Sequence, residues 1–208
     1  MICVDIETSG TGYNRAGILE IGAVDLENPK NIFREKARLS DEDGIFNKTN
    51  LVDPRKVTEI LGMTEEEMRD PKKQSEKEML EHFAEWIKTV RIKNFVCQNP
   101  QFDYSFFWAK FEKYGLEVPF YHRCMDIDTM ALMKYFEVHG KFLTNKDYTD
   151  MGLRHILEFV GMSEYPKRKT HNALEDAKLE AECFSRLMYG KNLFEEFNKF
   201  QIPDYLKK

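Results

Sequence analysis

The first 39 residues contain three strand-like runs separated by short connections, and this arrangement restricts the fold more than any other feature of the chain. Residues 2–7 place Ile2, Val4 and Ile6 on one strand face and Cys3, Asp5 and Glu7 on the other. The runs "GILEIGAVDL" (17–26) and "NIFREKARL" (31–39) predict a second and a third strand. Because the connections are short, we expect antiparallel neighbours.

After residue 73 the pattern alternates between helix and strand. Strands are predicted at 93–98 and 121–127, and helices at 76–90, 101–115, the stretches "DTMALMKYF" and "GLRHILEFVGM", and 172 to about 189. The chain is therefore expected to be an α/β protein with a mixed five-stranded sheet flanked by helices. We expect one domain over 1–208, with a core to residue 190 and a short helical C-terminal tail over 191–208. The polar segment 40–73 predicts two short helices that pack beside the active site.

Two carboxylates follow each other on one face of the first strand. Asp5 and Glu7 are two residues apart, so their Cα atoms lie about 6.6 Å apart and their side chains point the same way. Carboxylates that share a core-facing site repel each other unless a cation or a proton intervenes. The alternative is an edge strand that carries solvated acids.

A third acid, Asp103, follows a helix start in "CQNPQFD" (97–103). Asn99 is a suitable N-cap and Pro100 a suitable first helical residue, which places Asp103 in the first turn. The alternative role for Asp103 is to complement the helix dipole. The aromatic residues of this helix are expected mainly in the core, and one of them could offer a stacking face to a base.

The segment "HNALEDA" (171–177) places a histidine five positions before an aspartate. Five helical residues rotate by about 140°, so the two side chains could share a site only if His171 lies outside the helix. Asn172 as N-cap and Glu175 as its capping-box partner make Ala173 the first helical residue. Asp176 then lies in the first turn, where His171 can fold toward it. The alternative is a solvated loop histidine and a dipole-complementing aspartate.

In this order, "DIETSG", "NPQFD" and "HNALEDA" resemble the DEDDh family of 3′-to-5′ exonucleases. That family has a ribonuclease H-like fold and includes proofreading exonucleases, oligoribonuclease and ribonuclease T. The resemblance spans residues 1 to about 189, and "LGMTEEEM" (61–68) also fits it. The histidine five residues before the last aspartate indicates the histidine subclass, because the position of the tyrosine in the other subclass is Asn172 here.

The resemblance implies that Asp5, Glu7, Asp103 and Asp176 hold two divalent cations, Mg²⁺ or Mn²⁺. It also implies that His171 is the general base, and that the substrate is the 3′ end of single-stranded DNA or RNA. Two cations can stabilise both the attacking and the leaving oxygen of a phosphoryl transfer. Hard oxygen ligands suit Mg²⁺, and a positioned base contributes about 10²–10⁴ in rate.

Substrate contacts are expected near these motifs. Many family members have an apolar residue after the glycine of the first motif, where this chain has Thr11, and Gln98 replaces a histidine of many members. A basic run, "KRK" (167–169), precedes His171; a solvated loop is the first explanation for it, and a phosphate contact is the alternative. The candidate substrate-binding residues are Thr8, Ser9, Gly10, Asn99, Phe102 and Lys169.

Composition agrees with this interpretation. A formal net charge of −5 argues against broad adhesion to duplex nucleic acid, but clustered active-site acids contribute to that count. Four cysteines without a C-x-x-C pair argue against a zinc site of that spacing and indicate a reducing compartment. No apolar run approaches the roughly 20 residues of a membrane span, and no signal peptide is expected, so we expect a cytoplasmic protein without a membrane partner.

Two other functions compete with the exonuclease hypothesis. The first is a nucleic-acid-binding or scaffold module with the same fold and no catalysis. The second is an unrelated carboxylate-rich hydrolase built on "DID" (126–128), although helix capping by Asp128 would also explain that motif. The choice between DNA and RNA, a homodimer and a polymerase partner all stay open at the level of sequence.

Overall fold

Five strands form one mixed sheet in the order β3-β2-β1-β4-β5. The computed structural model describes residues 1–45, 57–167 and 169–208. β1 pairs antiparallel with β2, and β2 with β3, whereas β1–β4 and β4–β5 are parallel. The predicted mixed sheet is therefore confirmed. The strands are β1 (Ile2–Thr8), β2 (Ile18–Asp25), β3 (Ile32–Lys36), β4 (Asn94–Cys97) and β5 (Tyr121–Asp126).

Helices supply the crossovers that the parallel strands need, because parallel neighbours cannot be joined by a tight hairpin. A two-stranded hairpin over residues 144–149 was not predicted, and the C-terminal tail contains two 3₁₀ turns, Glu195–Phe197 and Asp204–Leu206. The hairpin consists of β6 (Thr144–Asn145) and β7 (Tyr148–Thr149). The helices are α1 (Val57–Leu61), α2 (Glu65–Met68), α3 (Glu76–Lys88), α4 (Pro100–Lys113), α5 (Ile127–His139), α6 (Leu153–Phe159) and α7 (Ala173–Tyr189).

The two faces of the sheet bury separate cores. Ile2, Val4 and Ile6 pack with the buried faces of α3 and α4, as the alternation in β1 predicts. Cys3 belongs to the opposite core, which contains residues of α5, α6 and α7. The aromatic side chains of α4 lie mainly in the core, as expected, and Trp108 is the exception at 52% exposed.

A buried ion pair connects α7 to the tail that follows it. Arg186 donates to Glu182 and to the carbonyl oxygens of Val160, Phe197 and Phe200. Both charged side chains are fully buried, and this geometry compensates their desolvation by hydrogen bonds. Within the described ranges, no helix combines the length and the apolar composition that crossing a membrane requires.

The polar segment 40–73 contains the two short helices that were predicted, α1 and α2. Residues 46–56 of this segment lie outside the described residues. The carbonyl oxygen of Ile60 in α1 accepts a hydrogen bond of 2.9 Å from the backbone N–H of His171. The described part of the segment therefore packs beside the predicted histidine loop, as expected from the sequence.

Candidate active site

Glu7 lies where β1 ends and where its pairing with β2 is irregular. Glu7 pairs with Glu20 but Thr8 pairs with Ile18, so Leu19 is an extra residue in β2 and forms a β-bulge. Bulges twist a strand locally and reorient the side chains beside them. The carboxyl ends of the parallel strands β1, β4 and β5 share this edge of the sheet, so residues that follow them gather near Glu7.

The start of α7 carries the second part of the site. The Asn172 side chain caps the helix by accepting a 3.1 Å hydrogen bond from the N–H of Glu175, as predicted. The return contact differs from the predicted capping box, because the N–H of Asn172 lies 3.5 Å from Oδ2 of Asp176. The carboxylate of Asp176 is thereby held against the first turn. His171 precedes the helix, which confirms that part of the prediction.

His171 and Asp176 converge from different backbone elements. Nδ1 of His171 lies 3.8 Å from Oδ2 of Asp176, and the two side chains are 45% and 5% exposed. Glu7 joins them, since one ligand atom from each of these three residues lies within 4.8 Å of the others. Among the described residues, these three form a group of acidic and histidine side chains with the spacing of a metal site.

Gly22 allows α7 to approach the strand that carries the acids. Gly22 pairs with Asp5 across β1 and β2. A Cβ atom at Gly22 would lie 2.2 Å from the backbone C of Ala173 and from the backbone N of Leu174. Only a glycine lets the first turn of α7 pack so closely, so this residue sets the distance between Asp176 and the acids of β1.

Asp103 reaches the same region from the start of α4. Its carboxyl is buried, and the backbone of Ile6, which lies between Asp5 and Glu7 in sequence, acts to lower its pKa. Pro100 is the first helical residue, as predicted, but Asn99 has a φ of 52° and makes no side-chain cap. The N–H of Asn99 donates instead to Oδ1 of Asp126 at 3.2 Å. Asparagine tolerates this left-handed conformation better than most residues do.

Burial and mutual repulsion both act on the acids of the site. Loss of water contact, followed by the negative charges of Asp176 and Glu7, raises the pKa of Asp5 well above its usual value. Burial raises the pKa of Asp103 to about 7. Buried carboxyl groups that lie this close together favour the ionised form only when a cation is bound. The carboxylate oxygens of Asp5, Glu7, Asp103 and Asp176 are hard ligands, and they fit a hard divalent cation such as Mg²⁺ or Mn²⁺.

Glu180 is a further acid of this region that the sequence analysis missed. It is 3% exposed and accepts a 3.1 Å hydrogen bond from the backbone N–H of Gln98. Burial, followed by the charge of Asp103, raises its pKa well above the usual value. The signal was available, because Glu180 lies four residues after Asp176 and therefore on the same face of the helix.

The candidate substrate-binding residues differ in how they face the site. The hydroxyl of Ser9 is buried, donates to the carbonyl of Gly44 and accepts from the N–H of Gly17. The backbone N–H of Ser9 donates to the carbonyl oxygen of Gly17, so neither this N–H nor the hydroxyl is available to a ligand. The hydroxyl of Thr8 donates to the carbonyl of Gly10. Phe102 is half-buried and packs on Phe106, with ring centroids 5.0 Å apart.

Two further charged motifs are the basic run "KRK" (167–169) and the acidic motif "DID" (126–128). Lys169 is exposed in the loop before His171, and Arg168 of the same basic run lies outside the described residues. In the "DID" motif the capping residue of α5 is Asp126, which accepts from the N–H of Asp128 at 3.1 Å. The expectation that Asp128 is the cap was therefore wrong.

The pKa shifts predict how the metal-free protein responds to pH. A carboxyl whose pKa is raised by folding stabilises the folded state below its ordinary pKa, and this contribution is lost as the pH rises through the raised value. We therefore expect the free energy of unfolding to fall by about 2–4 kcal/mol between about pH 5 and about pH 8 in EDTA. Mg²⁺ or Mn²⁺ should reverse the fall. Urea unfolding monitored by circular dichroism measures both effects.

Asp103→Asn is the matched variant for this measurement, because it removes the titrating group whose pKa is raised to about 7. The stability of this variant in EDTA should depend less on pH than that of the unmodified protein. Acids with a lowered pKa, such as Asp43, titrate below this window and do not interfere. A stability that rises between about pH 5 and about pH 8 would contradict the prediction.

Comparisons with known proteins agree with this geometry. The model of an exonuclease family, RNase_T, matches residues 2–184. The chain is 29% identical over 191 residues to a PolC-type DNA polymerase III of Thermotoga petrophila. The aligned part covers 90% of this chain and 12% of that protein. It is 27% identical over 191 residues to the 3′-5′ DNA exonuclease Cap18 of Escherichia coli, with 88% of each covered. The chain thus spans about an eighth of the polymerase relative.

A solved structure shows the same architecture. The nuclease domain of 3′hExo, described as a DEDDh family member bound to rAMP, superposes with a TM-score of 0.61 at 15% sequence identity. The superposition covers 98% of this chain and 95% of that domain. At this identity the likeness concerns the fold, and it confirms the predicted ribonuclease H-like arrangement of a mixed sheet with flanking helices.

Proposed function

The chain belongs to the RNase_T exonuclease family, as its three motifs predicted, and we propose that it removes nucleotides from the 3′ end of single-stranded DNA or RNA with two bound divalent cations. The observation that carries this proposal is the convergence of Glu7, His171 and Asp176 within 4.8 Å of one another. Two further acids, Asp5 and Asp103, lie in the same electrostatic environment. A scaffold without catalysis would not require this accumulation of buried like charges.

The four acids Asp5, Glu7, Asp103 and Asp176 would hold the cations, Mg²⁺ or Mn²⁺. When bound, these cations would stabilise charge on the transferring phosphoryl group and activate water as the nucleophile. The four acids come from three elements, β1, α4 and α7, so the fold fixes the positions of the ligands relative to one another. The packing of Ala173 on Gly22 keeps the helix and the strand at a constant distance.

His171 would take the proton of the attacking water. Its Nδ1 faces Asp176 at 3.8 Å, so we assign the proton transfer to Nε2 on the other side of the ring. The side chain is 45% exposed, which gives solvent access to the imidazole. An imidazole is a suitable proton acceptor at neutral pH, and its position outside the helix brings it over the carboxylate of Asp176.

The substrate would approach along the exposed side of these residues. The backbone of Thr8 to Gly10 would line the position of the terminal nucleotide, with Asn99 and Phe102 beside it and Lys169 near a phosphate. The relatives do not agree on the sugar, because Cap18 is a DNA exonuclease and the 3′hExo domain was solved with rAMP. We therefore propose both nucleic acids as substrates and let their relative rates assign the preference.

The proposal predicts a ladder that shortens from the 3′ end. Single-stranded DNA and RNA of matched sequence, each labelled at the 5′ end, are incubated with the protein in Mg²⁺ or Mn²⁺ and separated on a denaturing gel. We expect stepwise shortening in either metal and none in EDTA. Asp103→Asn, purified in parallel, controls for contaminating nucleases. Intact substrate in both metals, with oligonucleotide still bound, would instead favour the non-catalytic binding module.

A further inference from the structure

A short turn outside the catalytic motifs contacts the loop that carries His171. The backbone N–H of His171 donates a 2.9 Å hydrogen bond to the carbonyl oxygen of Ile60, at the end of α1. Two residues later, Gly62 has a φ of +62°, and a Cβ atom built there would lie 2.7 Å from Cγ2 of Thr170. The turn therefore touches both His171 and the residue before it.

The same turn is anchored to the part of the sheet that carries Glu7. Val57, the first residue of α1, is buried with Leu19, Leu39 and Met68. Leu19 is the bulged residue of β2 that lies opposite the step from Glu7 to Thr8. The buried cluster of Leu19 and Val57 thus links α1, whose Ile60 binds the His171 loop, to the strand β2 that pairs with the end of β1.

The turn also has a defined conformation of its own. The N–H of Met63 donates to the carbonyl of Thr58 at 3.2 Å, which closes the end of α1. Thr64 and Glu67 then form a complete capping box at the start of α2. A turn held on both sides by these hydrogen bonds can act as a rigid support, whereas an isolated loop could not.

We propose that the turn Ile60–Gly62 positions His171 against Glu7 and Asp176, and that Gly62 is a positioning residue for the catalytic base. This inference rests on the proposed function, because it assigns the turn a role in that reaction. The hydrogen bond from His171 to Ile60 fixes the distance between the histidine loop and α1. The absence of a side chain at Gly62 makes room for Thr170. A displacement of about 1 Å in a reacting group can lower a rate about 10²-fold.

Gly62→Ala tests the proposal, and Gly115→Ala is its matched control. Both glycines have left-handed backbone, with φ of +62° and +64°, so both substitutions introduce similar backbone strain. Only the methyl group at Gly62 meets a neighbour, since nothing lies within 4 Å of the corresponding position at Gly115. Gly115 lies beyond the end of α4, far along the helix from Asp103.

We expect Gly62→Ala to lower kcat by about 10- to 100-fold with little change in KM. Gly115→Ala should retain the kcat of the unmodified protein, and it should lose less thermal stability than Gly62→Ala because only the methyl group at Gly62 meets a neighbour. A role in folding alone would lower the Tm of Gly62→Ala and leave its kcat, measured on folded protein, unchanged. That result would overturn the proposal.

A second substitution should reverse the effect. Thr170→Ser removes the Cγ2 atom that the new methyl group would meet, so the double variant Gly62→Ala/Thr170→Ser should recover most of the lost kcat. In a His171→Ala background, Gly62→Ala should cause no further loss, because both changes act through one residue. Independent, multiplicative losses in that background would contradict the proposal.

The backbone amide signal of His171 in a ¹H–¹⁵N NMR spectrum gives a readout that does not depend on activity. Gly62→Ala should shift this signal and speed its hydrogen exchange, whereas Gly115→Ala should leave both unchanged. If the unmodified protein hydrolyses no nucleic acid but the amide responds in this way, the proposed function fails and the structural role of the turn remains. If the amide does not respond, the inference itself is wrong.

Discussion

Asp176→Asn is expected to lower the rate of metal-dependent hydrolysis by at least about a thousand-fold, equivalent to about 4 kcal/mol of transition-state stabilisation. Asp176 is buried at the first turn of α7, and it lies next to both Glu7 and His171. Asparagine has nearly the same volume, and its oxygen can still accept from the N–H of Asn172. The change therefore removes the charge of a proposed metal ligand while it preserves the packing around it.

The measurement compares kcat/KM on a 5′-labelled oligonucleotide with the thermal shift that Mn²⁺ produces. The variant should unfold at a Tm at least as high as that of the metal-free protein, because it removes one of several repelling charges. Its response to Mn²⁺ should be strongly reduced. Asp204→Asn is the control, since it makes the same chemical change on a carboxylate that is 93% exposed in the C-terminal tail. Activity of Asp176→Asn close to that of the unmodified protein would refute the assigned role.

The parts of the site that local sequence determines were predictable. The alternation in β1 places Asp5 and Glu7 on one face of a strand, and the capping chemistry of Asn172 places His171 outside α7. Both features depend on residues within about five positions of each other, where backbone geometry alone decides which side chains share a face. The antiparallel pairing of the first three strands followed from the short connections between them.

The parts that depend on tertiary contacts were not predictable in the same way. Gly22 lies 151 positions before Ala173, and nothing in the local pattern of β2 indicates that a helix packs on it. The bulge at Leu19 and the hydrogen bond from His171 to Ile60 likewise join segments that are distant in sequence. Asn99 was expected to cap α4, but its backbone is held in a left-handed conformation with its N–H directed at Asp126.

Glu180 links these two categories. Its position on the face of α7 that carries Asp176 follows from helical periodicity, yet its burial depends on Gln98 at the end of β4. A buried glutamate beside four other acids destabilises the metal-free protein, and a bound cation would relieve this repulsion. The site therefore achieves its concentration of negative charge at the expense of apo stability, as functional sites often do.

His171→Ala is expected to lower kcat by about 10²–10⁴-fold, the range typical of a lost general base. Its effect should differ in kind from that of Asp176→Asn. The distances alone allow two roles for His171, since its ring nitrogen lies within 4.8 Å of ligand atoms of Glu7 and Asp176. A base can be removed without loss of cations, whereas removal of a ligand weakens their binding.

The thermal shift in Mn²⁺ therefore separates the two roles. If His171 is the base, His171→Ala keeps the Mn²⁺-dependent rise in Tm while kcat falls, and added imidazole restores part of the lost rate. His122→Ala is the control for a histidine change elsewhere, because this exposed residue lies on edge strand β5. A His171→Ala variant that loses the Mn²⁺ response to the same degree as Asp176→Asn would instead make His171 a ligand. The proton acceptor would then have to be another group within reach of the attacking water.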